Sequence, residues 1–370
     1  MLAPTDIQLL LARTELFAAR AFDHAAAADA AATVDDRLWL EFRRSGLAMA
    51  AFPEALRGSG LSEPEHQGEL CTVLRLLGAA DLSIARLIEG HINAIALVCR
   101  YGTQAQQASL ASDVGDGALA AVWGADDAAG LKIVTDGSRA ELVGRKILAS
   151  GAGFVTRPIV TARAGEDQFM CLLRLAPDHP VDLSGWTAQG MRSTATGAVD
   201  LTGIPIGSDE IVGSAGDFMR QPWFSGGAWR FCAAHLGATE RLVELFRDHL
   251  ISRGRAEDPY QLQRVAGCVA AARTARFWVE EAARRFGGGD CNPDATVAFA
   301  NMTRMVTERS ALDVMETVQR GAGLLAFIRP DPIERICRDL STYLRQPVPD
   351  LAMSNAARAW LNSSAPAGEF

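Results

Sequence analysis

The sequence predicts an α+β multidomain protein with a helical N-terminal domain, a middle β-sandwich or barrel domain, and a C-terminal four-helix bundle. Three observations support this prediction. Apolar residues recur at helical spacing in the first third of the chain, short β-type runs follow, and long helical stretches return after residue 223. The expected domains are residues 1–116, 117–220 and 221–370.

In the N-terminal third, apolar residues are separated by three or four positions, as in Leu9, Ala12 and Leu16. This period places their side chains on one face of an α-helix. Thr103, followed three residues later by Gln106, is the pattern of a capping box, in which each side chain accepts from the other residue's backbone amide. A further helix should therefore begin just after Thr103.

In the middle third, short runs rich in apolar residues alternate with Gly, Asp and Pro. The runs are residues 131–134, 141–148, 154–162, 169–173 and 198–204. Runs of this length between turn-forming residues are typical of β-strands, so the middle of the chain is predicted to be an all-β domain.

Long helical stretches dominate the last third of the chain. They are residues 228–253, 259–286 and 293–320. A fourth helix is expected to end near Leu344, and glycines at 254, 287–289 and 321–323 separate the helices. This pattern predicts an up-down bundle. The run 287–289 lacks the Gly-x-Gly-x-x-Gly spacing of a dinucleotide-binding site, so a helix-helix turn is expected there.

Composition narrows the possible partners. The net charge of −8 and the pI near 5.4 argue against a surface that tracks nucleic acid phosphates. The seven cysteines include no Cys-x-x-Cys pair, so we expect reduced core cysteines and no metal site. No apolar run reaches 18 residues and no signal-peptide pattern opens the chain, so we expect a cytoplasmic protein with no membrane partner.

Five short segments stand out for their glycine turns and fixed polar residues. They are Phe-Pro-Glu with Gly-Ser-Gly-Leu-Ser (52–62), Gly-His-Ile-Asn with Tyr-Gly-Thr-Gln (90–107), Val-Trp-Gly-Ala-Asp with Gly-Arg-Lys and Ser-Gly (122–151), Gly-Met-Arg-Ser-Thr-Ala-Thr-Gly (190–197), and Gln-x-Gly-x-Gly with Pro-Ile-Glu-Arg-Ile-Cys-Arg-Asp (319–339). Together and in this order they resemble the acyl-CoA dehydrogenase superfamily. The segment 190–197 is the most specific of the five.

The resemblance implies an FAD cofactor whose isoalloxazine ring lies between the β domain and the bundle. The positions matched to the ring are Trp123, Gly124, Leu148 and Ser150. The positions matched to the diphosphate and adenosine, in the cofactor of a neighbouring subunit, are Arg253 (or Arg255), Gln319 and Gly323. A homodimer or homotetramer is therefore expected. Glycine turns suit such a site because a residue without Cβ lets the backbone approach a flat ring closely.

The family removes an α-proton from an acyl thioester with a carboxylate, and the resemblance implies an oxidoreductase acting on the CH-CH group of such a substrate. The two usual positions of that carboxylate hold no acid here. One falls at residues 225–228, before the first bundle helix, and the other falls near Pro347. Asp350, beyond Pro347, is a candidate replacement. The electron acceptor is not indicated by the sequence.

Two alternatives remain open within the same fold. Flavin monooxygenases of this fold take reduced flavin from a separate reductase, and the Ser150-Gly151 pair resembles that branch. In such an enzyme His91 could donate a proton, although it could also be a helix residue bonded within its own domain. The second alternative is a binding subunit that has lost its base. Aromatic residues at 223, 224, 229 and 231 could line a substrate pocket or form interdomain core.

Overall fold

The computed structural model describes residues 6–137, 139–288, 292–345 and 347–366. The N-terminal region is helical, as predicted. Its helices are α1 (Ile7–Ala31), α2 (Asp36–Ser45), α3 (Leu47–Ala50), α4 (Gln67–Ala80), α5 (Leu82–Tyr101) and α6 (Gln104–Gly115). The predicted capping box is confirmed, because Gln106 N–H donates to Thr103 Oγ1 at 3.2 Å and Thr103 N–H donates to Gln106 Oε1 at 2.9 Å.

The middle region is a curled β domain. Its strands are β1 (Leu119–Trp123), β2 (Lys132–Asp136), β3 (Arg139–Val143), β4 (Arg145–Ala149), β5 (Val155–Ala164), β6 (Asp167–Leu172), β7 (Gly197–Asp200) and β8 (Ile211–Val212). Strands β3-β2-β5-β6-β8 form one sheet in that order, with β1 parallel to β5, and β4 pairs with β7 in a second sheet.

Two features of the β domain differ from the sequence prediction. The run 141–148 is divided between β3 and β4 at Gly144, whose φ of +120° is strained for a residue with a Cβ. Strand β1 was not among the predicted runs. It is almost continuously buried and parallel to β5, and such strands lack the polar-apolar alternation that marks a half-exposed strand.

Helices return in the C-terminal region. They are α7 (Trp229–Ser252), α8 (Pro259–Gly287), α9 (Pro293–Ala322), α10 (Pro332–Tyr343) and α11 (Pro349–Leu361). The first three pack against one another, and α10 packs across α7. Helix α11 was not predicted, and it packs on α9. Gly289, the last residue of the predicted glycine turn, lies outside the described residues.

The helical regions are joined by close backbone contact between α4 and α7. A Cβ on Gly78 would lie 2.0 Å from Ala234 O, and a Cβ on Gly237 would lie 1.9 Å from Arg75 O. Only glycine permits helices to approach so closely. Helix α5 is apolar and long enough to span a membrane, but 72% of its apolar window is buried inside this fold, as expected for a core helix.

Candidate active site

A cavity of about 640 Å³ lies where α5, the segment before α7, and helices α7 to α9 meet. Its apolar wall is formed by the aromatic side chains Phe218, Trp223, Phe224, Phe231 and Phe286. Some of these rings pack against one another: the ring centres of Trp223 and Phe286 are 5.5 Å apart in an edge-to-face arrangement. The volume falls within the range of about 300–1,000 Å³ typical of small-molecule sites. Trp229, by contrast, is fully buried core.

One wall of the cavity carries a connected row of polar side chains on α5. Arg86 forms an ion pair with Glu89 at 2.7 Å, and Asn93 Nδ2 donates to the other oxygen of Glu89 at 2.5 Å. The amide oxygen of Asn93 accepts from Arg230 Nη1 of α7 at 3.4 Å. Glu89 is only 4% exposed, and its negative charge is compensated within this row.

Both places where the family carries its carboxylate base lie on this cavity. Gly227 and Ala228 line it just before α7, and Pro347 lines it before α11. These positions therefore face a common space, and neither supplies an acid. Besides Glu89, Glu63 is the other carboxylate on the wall in the described part of the chain. Glu63 Oε2 lies at the Gly60 turn, 2.3 Å from where a Gly60 Cβ would stand.

The predicted flavin-ring positions lie together at the edge of the β domain. Trp123 Nε1 donates to Ser150 O at 2.9 Å, joining the end of β1 to the end of β4. The buried Lys146 ammonium donates to Asp126 at 2.5 Å and so fixes the turn after β1 that includes Gly124. Trp123 is only 2% exposed, so its side chain is part of the buried core. Val122, the residue before it, lines the large cavity.

Leu148 and Ser150 line a second, smaller space, which Arg86 borders together with the large cavity. Leu148 has a φ of +52° and its side chain is 56% exposed, although β4 lies within the β domain. Ser150 Oγ accepts from Thr196 Oγ1 at 3.4 Å. Arg86 lines both this space and the large cavity, with Tyr343 beside it. Burial raises the pKa of the Tyr343 hydroxyl, so this group stays protonated at neutral pH.

His91 is placed in the interior of the N-terminal domain and not on the cavity wall. Its Nε2 is 2.8 Å from Ala48 O, and its Nδ1 accepts from Ala120 N–H at 3.0 Å. Burial lowers the pKa of His91 to about 4, which keeps the ring neutral. One nitrogen bonds the backbone within the N-terminal domain at Ala48 and the other bonds Ala120 in β1 of the β domain, so neither is free to donate a proton to a bound group.

Asp350 is exposed at the start of α11 and lies outside the lining of the large cavity. It borders a second cavity of about 370 Å³ between α7, α9 and α11, which His235 also lines. The structure therefore separates Asp350 from the positions of the missing base. Phe231 and Arg304 line both cavities and form the partition between them.

Arg253, Gln319 and Gly323 are distant from the ring positions within one chain. Arg253 follows the last residue of α7, and the first turn of α7 borders the cavity. Because a helix of 24 residues is roughly 36 Å long, Arg253 lies at the far end of α7 from the cavity. Gly323 ends α9 beside the same end of α7, because a Cβ on the nearby Gly321 would meet the Phe246 ring at 2.3 Å. These residues can contact a shared cofactor only if a second copy presents them.

The sequence prediction missed the polar row on α5. Arg86, Glu89 and Asn93 are separated by three and four positions, which places them on one helix face. A polar stripe within an otherwise apolar helix was the available signal. Its partner Arg230 lies 137 residues beyond Asn93 and could not be inferred from spacing.

Comparison with known proteins agrees with this architecture. An acyl-CoA dehydrogenase N-terminal domain model matches residues 5–118, and an acyl-CoA dehydrogenase C-terminal domain model matches residues 229–345. A search of curated proteins gave no match.

Several solved structures share the fold over nearly the whole chain. Butyryl-CoA dehydrogenase from Megasphaera elsdenii is 18% identical with a TM-score of 0.84, covering 98% of this chain and 100% of that one. Dibenzothiophene monooxygenase TdsC from Paenibacillus sp. A11-2 is 20% identical with a TM-score of 0.84, covering 96% and 98%. TdsC has also been solved with FMN and indole.

A nitrososynthase from Micromonospora carbonacea var. africana is 21% identical with a TM-score of 0.84, covering 97% of this chain and 98% of that one. These proteins are named as different enzymes although they share one architecture. At such low identity, the similarity therefore establishes only the fold of this chain. The two domain models together match more than half of the chain and agree with that fold. This chain therefore belongs to the acyl-CoA dehydrogenase superfamily.

Proposed function

We propose that this protein is a flavin-dependent monooxygenase that acts on a compact, planar substrate in the large cavity. The observation that carries the proposal is the cavity wall at Gly227, Ala228 and Pro347, where the superfamily's carboxylate base is missing. Losing a positioned base costs about 10²–10⁴ in rate, so thioester dehydrogenation is poorly supported by this site. Oxygenation of a substrate does not require that carboxylate.

Glu89, one of the two carboxylates on the cavity wall in the described part of the chain, is not proposed as a replacement for the base. Glu89 accepts from both Arg86 and Asn93, so each of its carboxylate oxygens is already bonded to a protein donor. In this proposal the row on α5 instead fixes one wall of the cavity through linked polar contacts.

We place the flat redox ring against the edge of the β domain, over the open side of a small space of about 10 Å³ that Leu148 and Ser150 line. Leu148 presents an exposed apolar side chain beside Ser150, whose hydroxyl lies at the small space next to Arg86. We propose that Trp123, Gly124, Leu148 and Ser150 hold the ring there, as the family resemblance implies. A bound reduced flavin would supply the electrons for activating dioxygen. The chain's own part is to orient the substrate and to exclude water from the aromatic cavity.

A substrate with a planar apolar body suits the aromatic wall. Faces and edges of Trp223, Phe224 and Phe286 border the space, and such rings pack favourably against other rings. TdsC, which shares the fold, has been solved with indole, and this supports a bicyclic aromatic as the first compound to test.

Dehydrogenation of an acyl thioester is the second candidate, because Glu63 lies on the cavity wall and could accept a proton from a substrate seated there. In that case an acyl-CoA would bleach the bound flavin without oxygen. Glu63→Gln would then abolish the bleaching. In the monooxygenase proposal Glu63 does not act as a base.

The deciding experiment uses the purified full chain. Visible absorbance measures retained flavin, and fluorescence titration compares its affinity for oxidised and reduced flavin. The protein is then given indole, dioxygen, NADH and a flavin reductase, and separately a panel of acyl-CoAs under anaerobic conditions. The proposal expects oxygenated indole and no bleaching by acyl-CoA. Bleaching by any thioester would contradict it, and no flavin binding in either redox state would indicate a binding subunit.

The proposal also covers the cofactor, the oligomeric state and the cellular location of the protein. Because Arg253, Gln319 and Gly323 lie at the far end of the bundle, we propose that the flavin is FAD and that a homodimer or homotetramer presents these residues to a neighbour's cofactor. We also propose that the protein acts in the cytoplasm. Light scattering measures the assembly, and extraction with chromatography distinguishes FAD from FMN.

A further inference from the structure

Three guanidinium groups on the cavity wall form no ion pair with a carboxylate of the described residues, and one of them, that of Arg304, donates to Pro347 O instead. Arg86 is paired with Glu89, whereas Arg100 and Arg230 form no ion pair with a carboxylate of the described residues. Arg230 is only partly exposed, and taking a charged group out of water is costly unless an opposite charge compensates it. Arg100 is exposed and faces the same cavity. Two cations that face one space are expected to attract an anion.

Arg230 is the more deeply placed of the two. Its guanidinium carbon lies 4.8 Å from the Phe286 ring centre, and its polar contact with Asn93 is a long 3.4 Å. Its Nε is buried and has no hydrogen-bond partner among the described residues. Burial lowers the pKa of Arg230 to about 10, so the group still carries its charge at neutral pH.

Gly227 shows that the backbone leaves room for this guanidinium. A Cβ on Gly227 would stand 2.8 Å from Arg230 Nη1. Gly227 lies within the stretch 225–228, where the family resemblance would place an acid, and in this chain a guanidinium lies beside it. The electrostatic character of this part of the cavity is thereby reversed.

Arg100 extends the cationic surface along α5. Its guanidinium carbon lies 3.4 Å from the centre of the Trp223 ring, a cation–π arrangement that leaves the guanidinium edges available for hydrogen bonds. The next residue, Tyr101, also lines the cavity, and its hydroxyl is buried without a partner. Arg100, Arg230 and Tyr101 thus border one space with aromatic walls, and the described residues offer no acceptor to Arg230 Nε or to the Tyr101 hydroxyl.

We propose that the substrate is a planar aromatic compound bearing a carboxylate, which is bound by Arg230 and Arg100 while its ring lies against Trp223 and Phe286. Planar guanidinium groups match a carboxylate with two parallel hydrogen bonds, and the Tyr101 hydroxyl supplies a further donor. This inference rests on the proposed function, since it specifies the substrate class of the same cavity. A phosphate on the flavin is the other anion that could meet these donors.

Isothermal titration calorimetry with two isosteric probes tests the proposal. Indole-3-acetate carries the carboxylate, and indole-3-acetamide replaces it with a neutral amide. The wild-type protein is expected to bind the acid roughly ten- to a hundredfold more tightly, as charge-assisted hydrogen bonds provide. Arg230→Gln should weaken binding of the acid far more than binding of the amide and so remove this preference, while the exposed control Arg273→Gln should retain the preference. Arg100→Gln serves as the second variant if Arg230→Gln does not fold.

A second titration distinguishes the source of the anion. FMN and riboflavin differ in the phosphate alone. If Arg230→Gln weakens FMN binding and leaves riboflavin binding unchanged, the arginines bind the cofactor and the substrate proposal is overturned. Equal affinity of the wild type for the acid and the amide would also overturn it.

Failure of the monooxygenase proposal and failure of the anion-site proposal give different results. A protein that prefers the acid but binds no flavin supports the anion site and contradicts the monooxygenase. A protein that binds flavin and oxygenates indole without preferring the acid retains the function and contradicts the anion site.

Discussion

The backbone amide of Met191 donates to the carboxylate of Asp339 at 2.6 Å, across 148 residues of sequence. The contact joins the β domain to α10. The two backbones approach so closely that only glycine fits at position 190, because a Cβ there would stand only 2.1 Å from Arg338 O. Two of the segments that resemble the superfamily, 190–197 and 332–339, therefore meet between the β domain and α10. Their recognisable residues build the fold and are not shown to contact a substrate.

The Asp339 carboxylate should make stability depend on pH. Burial, together with the nearby Asp81, raises the pKa of Asp339 to about 7. The folded protein therefore holds this proton more tightly than the unfolded chain, so the stability it contributes is fully present below pH 3.8 and is lost as the pH rises through about 7. Between pH 5 and 8 the wild type should lose roughly 1–3 kcal/mol relative to Asp339→Asn. Urea unfolding of both proteins at each pH measures this, and parallel pH profiles would show that Asp339 does not retain its proton.

Replacing His91 with Phe should damage folding and not ligand binding. The substitution leaves Ala48 O and Ala120 N–H without their ring partners, at a cost of about 2–4 kcal/mol. Denaturant unfolding gives the loss, with the exposed His24→Phe as the matched control. Flavin affinity of the folded His91→Phe protein should equal that of the wild type. A stable variant with impaired turnover would instead restore His91 as a proton donor.

Gly90 offers a way to close the large cavity without disturbing the core. It lies on the cavity wall in α5, and a Cβ there would meet no atom within 4 Å. Gly90→Ala should therefore fold and bind ligands, with a gain of up to about 1 kcal/mol in helix stability. Gly90→Leu should fold equally well but lose at least about tenfold in affinity for indole-3-acetamide, because its side chain occupies the space that the ligand needs. Calorimetry measures both, and full affinity in the leucine variant would place the ligand elsewhere.

Arg253 should affect the nucleotide half of FAD alone. If a second copy presents this residue to the diphosphate, Arg253→Gln should lower FAD affinity about tenfold through loss of a charge-assisted hydrogen bond. FMN affinity should not change, and the exposed Arg247→Gln variant provides the control. Fluorescence titration measures both ligands. Equal weakening for FAD and FMN, or no effect on either, would exclude this role.

The order of helical, β and helical regions could be predicted because it depends on local pattern. The capping box at Thr103 and Gln106 involves residues three positions apart, and the long helices have a strong apolar period. Strand β1 was missed because a strand buried on both faces gives no alternation. Helix α11 was missed because its apolar face is narrow and much of it is exposed.

The candidate site shows the limit of that local reasoning. Glu89 and His91 are polar residues two positions apart in one apolar helix, and they look equally functional in the sequence. Two positions turn an α-helix by about 200°, so the two side chains point in opposite directions. Which direction faces a cavity and which faces backbone depends on where α3, β1 and α7 are packed.

By itself the sequence determined the superfamily, the order of the three regions and the absence of an acid at the two expected base positions. These features follow from residue identity and from spacing within a few helical turns or one strand. Only the tertiary structure decided that His91 is bonded to backbone, that Asp350 lies beside another cavity, and that Arg100 and Arg230 share one space. The physical reason is that burial and electrostatic compensation depend on distances between segments that are far apart in the chain.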